Sequence, residues 1–298
     1  MYVMNPYIEF PKLGLKFNID RVAFAIGNKE VYWYGIIIAI GLVLAIVVCT
    51  PIAKRKNITS DNIFDIVLWG LPSAVVFARL YYVAFRFDEY KNNLSAVFEI
   101  WNGGIAIYGA VIGAVISTYI YCKSKKLDFL VVADFGCIGL VIGQIVGRWG
   151  NFVNQEAFGA NTNLPWGMTG SGIISELEHM KSLGMAVDPA MPVHPTFLYE
   201  SLWNLCVLGV LFLIYFKMHK FNGQVFLSYL TLYGLGRFWI EGLRTDSLYW
   251  GNFRVSQVLA LMCVIAGTIV MLVCLKKAKT VADTSDEEKN SQETQIEG

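Results

Sequence analysis

The stretch 31–53, VYWYGIIIAIGLVLAIVVCTPIA, carries no charged side chain over its whole length. A hydrocarbon core about 30 Å thick takes about 20 apolar residues in helical form. This stretch is long enough to cross it, and six further segments satisfy the same reading: 62–85, 104–122, 131–149, 197–216, 224–243 and 255–275. Each is predicted to be a helix, because backbone groups in lipid must find their partners within the segment. A membrane β-barrel would alternate apolar and polar residues over short strands; here the apolar residues run continuously. Composition agrees. Of 298 residues, 55% are hydrophobic and only 16% charged, against about a quarter charged in soluble domains. The length alone would allow two soluble domains, and the apolar runs exclude them.

Threading seven spans places every short basic cluster on one side. Lys54-Arg55-Lys56 follows the first span; Lys123, Lys125 and Lys126 follow the third; Lys217 and Lys220 follow the fifth; Lys276, Lys277 and Lys279 follow the seventh. The positive-inside rule makes that side the cytoplasm. The N-terminus and segments 86–103, 150–196 and 244–254 then lie outside, and the C-terminus inside. The expected fold is therefore all-α and polytopic, with seven transmembrane helices. A membrane domain covers 1–278, with a small extracytoplasmic insertion at about 151–195. An acidic cytoplasmic tail, 279–298, is expected to be disordered.

Met1 to Asn28 shows no basic start followed by an apolar core, so no cleavable signal is expected. Asp20 to Asn28 reads as an interfacial turn, and Ser175 to Leu183 as a short helix in the long outer segment. That segment, Asn151 to Val193, is punctuated by Pro165, Gly167, Gly170, Gly172, Pro189 and Pro192. Glycine stripes on the fourth span (Gly136, Gly139, Gly143, Gly147) and third span (Gly109, Gly113) let another helix approach closely. The six cysteines fall in or at the ends of spans without a CxxC pair. They read as small apolar filler rather than metal ligands or a disulfide framework.

Ionisable residues inside spans are costly and mark function by default. They are Arg79, Asp134, Arg148, Glu200, Arg237 and Glu241. Tyr233, Arg237, Glu241 and Arg244 share one helical face by spacing. An internal salt bridge and an arginine held for an anion are both compatible with that pattern. The sharpest cluster is GRWGNFVNQEAFG, Gly147 to Gly159. Arg148 is suited to grip a phosphate in bidentate fashion. Asn151 and Asn154 add carboxamide donors, and Glu156 either orients the arginine or acts as a base. A capped helix end entering a loop is the plainer alternative. His194 opens the fifth span beside Glu200 in HPTFLYE, where it serves either the helix start or the chemistry.

These runs, together with WYG at Trp33 to Gly35, WNGG at Trp101 to Gly104 and YGLGRFWIE from Tyr233, resemble the prolipoprotein diacylglyceryl transferase family in content and order. The resemblance covers all seven spans. It implies transfer of a diacylglyceryl group from phosphatidylglycerol to the lipobox cysteine thiol in the signal peptide of a prolipoprotein, forming a thioether and releasing glycerol phosphate. It implies a bacterial cytoplasmic membrane location with the site toward the outer leaflet, a lipid bilayer environment, and no cofactor, metal or nucleic acid. It implies that Arg148 and Arg237 hold the lipid phosphate and that Asn151 and Asn154 position the headgroup. Glu156, Glu200 and Glu241 would orient the arginines or take the thiol proton, Tyr34 and Tyr233 would line the lipid site, and Gly159 and His194 would belong to the binding region. Many members of the family carry a histidine in an HGG run where this chain has Tyr108-Gly109-Ala110. Tyrosine, with an ordinary pKa of about 10, is a weak base, and Tyr108 is expected to act as a hydrogen-bonding group in a mainly electrostatic site. From residues alone, a seven-span transporter or receptor for an anionic solute is the rival class. Against it stand the absence of an internal repeat and the clustering of polar residues toward one leaflet.

Overall fold

A computed structural model describes residues 6–296, with side chains to Thr280 except at Asn102. Strands β1 (Ile8–Phe10), β2 (Leu15–Phe17), β3 (Val22–Ile26) and β4 (Lys29–Tyr32) precede helix α1 (Trp33–Lys54). Next come α2 (Ser60–Phe85), the single turn α3 (Phe87–Tyr90), two 3-10 turns, α4 (Ile107–Lys125) and α5 (Phe129–Asn154). The long loop holds β5 (Thr169–Gly170) and α6 (Ser171–Ser182). The chain closes with α7 (Thr196–Leu213) and its π-helical end Ile214–Met218, α8 (Gln224–Leu243), β6 (Tyr249–Trp250), β7 (Phe253–Arg254) and α9 (Val255–Ile296).

The molecule is mostly helical. Among the described residues, six helices are long and apolar enough to cross a membrane: α1, α2, α4, α5, α7 with its π-helical end, and α9. It is a polytopic membrane protein. α8 has the length but not the hydropathy, because its turns carry Gln224, Ser228, Arg237 and Glu241, four of its buried or ion-paired residues.

The all-α expectation needs correction, because three small antiparallel sheets are present among the described residues. β1 lies between β2 and β5, with Ile8 opposite both Phe17 and Gly170. β3 and β4 form a hairpin where an interfacial turn was expected. β6 and β7 form another. Both hairpins turn on a Gly-Asn pair, Gly27-Asn28 and Gly251-Asn252, with the glycine at φ +60° and +58°. A II′ turn requires that left-handed φ at its first central residue.

α9 continues as helix through the segment expected to be disordered, as far as Ile296. Extending a helix that already exists costs no new nucleus, so polar composition alone does not end it. Residues 297–298 of that expected tail lie outside the described residues.

The chain forms two units, 46–135 and the remainder (1–45 with 136–298). Within 46–135, α2 and α4 touch backbone to backbone. A Cβ at Gly109 would lie 2.3 Å from the Phe77 carbonyl oxygen, and one at Gly113 would lie 2.6 Å from that of Ser73. The glycine stripe of the third span is therefore a packing surface. Within the other unit, Gly147 faces Ile38 of α1, while a Cβ at Gly136 would meet nothing within 4 Å.

The segment between α5 and α7 has its own core. Ile8 and Phe10 of β1 pack with Phe152, Phe158, Met168, Ile173, Leu177 and Phe197. Burying Ile173 and Leu177 completely contributes roughly 1.5–3 kcal/mol each. This core fixes the end of α5 against the start of α7, and thereby the polar cluster between them.

Candidate active site

α5 does not stop where its apolar run ends. It continues through Arg148 and Asn151 to Asn154, then breaks at Gln155 and Ala157, both left-handed at φ +56° and +57°. Arg148 and Asn151, one turn apart, thus share a face, and the Arg148 Nη1 donates to Asn151 Oδ1 at 3.2 Å. Arg148 Nη2 donates to Glu200 Oε1, on the first turns of α7. The other oxygen of that carboxylate accepts from Arg237 Nη1 of α8 at 3.3 Å. Arg237 Nη2 meets Glu241 Oε2, one turn along the same helix, at 2.6 Å. Glu200 therefore bridges two guanidinium groups from two other helices. The carboxylate side chains are 3% and 2% exposed, while the arginines keep 20% and 19%.

The network extends outward. Asn151 Nδ2 donates to Glu156 Oε1 at 2.8 Å, and Asn154 Nδ2 donates to the same oxygen at 3.3 Å. Asn154 and Glu156 then line a cleft of about 830 Å³ together with Tyr34, Arg21, Glu30 and Tyr32. The Tyr34 ring also packs on Gly150, where a Cβ would lie 2.6 Å from ring carbon Cδ2. Tyr233, one turn before Arg237, stacks on Tyr229 with centroids 5.4 Å apart. Tyr229 in turn accepts a hydrogen bond from Gln144 at 3.0 Å.

Gly159 and His194 sit beside this network and hold its frame. Gly159 N donates to the His194 carbonyl at 3.0 Å, and Ala160 N donates to that of Leu243 at 2.8 Å. A Cβ at Gly159 would lie 2.7 Å from His194 Cβ and 2.9 Å from the Leu243 oxygen. The His194 ring contacts the Tyr199 hydroxyl through Nδ1 at 3.2 Å, and burial lowers its pKa. Just past α8, Arg244 holds Asp246 in a bidentate pair at 2.8 and 2.6 Å. Burial works to raise the Asp246 carboxyl, but the Arg244 hydrogen bond and charge outweigh it, and the net shift is downward.

A model of one family, prolipoprotein diacylglyceryl transferase, matches residues 21–273. Among similar chains, a protein of Finegoldia magna is 45% identical over 254 residues, covering 85% of this chain and 95% of its own. One of Clostridioides difficile is 42% identical over 261 residues, covering 88% and 98%. One of Listeria innocua is 46% identical over 248 residues, covering 83% and 87%. All three bear the name phosphatidylglycerol–prolipoprotein diacylglyceryl transferase. The chain belongs to this family.

Of the family-like residues singled out in the sequence, the structure joins Arg148, Asn151, Asn154, Glu156, Glu200, Arg237 and Glu241 in one continuous network, with Tyr34 and Tyr233 on its edges. Tyr108 lies in the first turn of α4 within the 46–135 unit, its ring 6.3 Å from that of Tyr81. The sequence reading missed Arg21, Glu30 and Tyr32, which the β3–β4 hairpin brings to the cleft. Tyr32 donates to Glu30 at 2.7 Å, and Arg21 lies over its ring at 5.9 Å. The Gly-Asn pair between β-rich flanks was the available signal. Gln155, inside the sharpest motif, has a structural task. Its Oε1 accepts from Gly172 N at 2.8 Å and Ile173 N at 3.3 Å, capping α6.

Proposed function

We propose that this chain transfers the diacylglyceryl group of phosphatidylglycerol to the lipobox cysteine of a prolipoprotein signal peptide. The observation that carries the reading is the Glu200 bridge between Arg148 and Arg237. The two cations and the carboxylates Glu200 and Glu241 cancel in charge. A guanidinium has five N–H donors, and the hydrogen bonds described use two on Arg148 and one on Arg237, whose Nη2 is also ion-paired with Glu241. The others are left for phosphate oxygens. Pairing with the buried carboxylates holds both forks in place before the lipid arrives, and such preorganised donors stabilise developing charge most effectively.

In the reaction the cysteine sulfur attacks the glycerol carbon that carries the phosphate ester. The S–C bond forms, the C–O bond breaks, and glycerol phosphate leaves with the electron pair. The negative charge growing on the phosphate is met by Arg148 and Arg237. Asn151, Asn154 and Glu156 position the headgroup at the mouth of the cleft lined by Tyr34, and Tyr233 backs Arg237. The thiol, with an ordinary pKa of about 8.5, must lose its proton. Glu156 is the carboxylate of the network that reaches the cleft, and it is the acceptor we assign. Tyr108 serves as a hydrogen-bonding group rather than the base. Glu241 orients Arg237, and His194 and Gly159 keep the frame of the binding region.

The same reading places the protein in a bacterial cytoplasmic membrane with seven spans, α8 being the sixth in chain order, covered by its neighbours because of its polar face. The N-terminus and the 151–195 insertion face outward, the acidic tail inward, and the site opens to the outer leaflet. Purified protein in detergent, phosphatidylglycerol and a lipobox peptide test the proposal. A peptide heavier by a diacylglyceryl group, blocked at its thiol, is expected. Anion flux in liposomes without any lipidated peptide would favour the transporter class instead.

A further inference from the structure

Arg79 of α2 is 6% exposed, and its guanidinium is bound entirely by backbone. Nε donates to the Val97 carbonyl at 2.8 Å, Nη1 to those of Gly103 and Gly104 at 2.7 Å each, and Nη2 to that of Ala96 at 2.6 Å. Its flat face lies 5.0 Å from the Tyr90 ring. Four carbonyls of one loop are thus capped by one side chain. At Gly104, with φ +71°, a Cβ would lie 2.4 Å from Nη1, so only glycine admits the arginine.

The loop divides into two halves of opposite character. Residues 86–93 are polar apart from Phe87 and Tyr90, and exposed apart from Tyr90, with the ion pairs Arg86–Glu89 and Lys91–Asp88, both at 2.9 Å. Between Leu94 and Ile107 the only ionisable residue is Glu99. In that half Leu94, Phe98, Trp101, Ile105 and Ile107 are 61%, 78%, 77%, 60% and 71% exposed. The loop joins two helices long and apolar enough to cross a membrane, α2 and α4. Its apolar half runs without a break into the exposed face of α4.

An irregular backbone tolerates a lipid environment only where its polar groups are satisfied from within the protein. Large aromatic residues exposed at a membrane helix end collect at the interface. We infer that residues 94–107 are sunk into the bilayer interface, and that Arg79 is the internal donor that lets this loop shed water. The partner of the surface is lipid. Residues 86–93 remain on the water side.

Two experiments test this, both on the full chain in nanodiscs. In the first, the native chain is irradiated with a photoreactive phospholipid and mapped by mass spectrometry. Label is expected on peptides spanning 94–107 and not on those spanning 86–93; equal or no label on 94–107 overturns the inference. In the second, an environment-sensitive fluorophore is placed by Phe98→Cys, Trp101→Cys or Lys91→Cys in a variant whose six native cysteines are replaced and whose melting matches the parent. At 98 and 101 the emission should shift to the blue and be quenched by brominated lipid. At 91 it should be quenched by iodide. Iodide quenching at 98 equal to that at 91 overturns the proposal, and so does shielding from both quenchers, which would mean a protein contact. Arg79→Gln should raise amide exchange across Ala96–Gly104 at least about tenfold, since one uncapped carbonyl suffices to shift a local opening that far. Unchanged exchange would remove the capping role.

Discussion

Glu200→Gln isolates the feature on which the site depends. The change preserves shape, but glutamine offers one acceptor and one donor where the carboxylate offers two acceptors. One arginine keeps a neutral hydrogen bond, and the other meets an N–H group. Glu200 is 3% exposed and its partners are 20% and 19% exposed, so little water is available to compensate. Removing one partner of a buried ion pair costs about 3–5 kcal/mol. At about 2–4 °C per kcal/mol for a chain of this order of size, the melting temperature should fall by roughly 6–20 °C. Arg148 and Arg237, now repelling each other, should separate, and displacement of catalytic groups by about 1 Å can cost about a hundredfold in rate. Melting in detergent and thioether formation on the lipobox peptide read the two effects. Melting within about 3 °C of the parent, together with an unchanged kcat, would refute the bridge as the organising contact.

Arg237→Lys should lower kcat by about a hundredfold or more, because a single ammonium cannot hold Glu200, Glu241 and phosphate together; retained turnover of the peptide would remove the phosphate assignment. Tyr108→Phe should slow the reaction by about tenfold, the scale of one hydrogen bond, and a rate equal to the parent's would show the hydroxyl to be dispensable. Gly159→Ala should destabilise by about 1–3 kcal/mol through overpacking against His194 and the Leu243 carbonyl, seen as a lower melting temperature. His194 is held below its ordinary pKa of 6.5 by burial. On acidification the unfolded chain therefore takes up the proton first. Its contribution is present above about pH 6.5 and is lost as the pH falls through the lower folded value. Melting measured from pH 8 to 5 should decline on the acid side, and His194→Gln should flatten that decline.

The spans were legible because lipid demands long uncharged runs, and stretches such as 31–53 supply them. α8 was readable from its face pattern, though its polar turns keep it below the hydropathy of the others. The extent of α5 was not legible. Its apolar run ends near Trp149, and the helix beyond it is held by partners far along the chain, Arg148 by Glu200 and Phe152 by Phe10 and Phe197. The β1–β5 contact has the same cause, joining Ile8 to Gly170 through two residues of strand. The two Gly-Asn hairpins were readable from local turn chemistry and were passed over. In the site, Tyr233, Arg237 and Glu241 declared a common helical face by spacing. The bridge from Arg148 to Arg237 did not, since it needs three helices in register. Gln155 shows the limit of motif reading: it lies among the polar residues of the sharpest run, yet its bonds serve α6.

That last contact bears on the order in which the chain is made. The cap for α6 lies in the segment just before it, so the ribosome delivers the acceptor oxygen some seventeen residues ahead of its two donors. Once Ile173 has emerged, the first turn of α6 has its partner waiting, while α7 is still inside the ribosome. The insertion can therefore begin to close on the finished end of α5 during translation, and the arriving Glu200 meets an Arg148 that is already anchored.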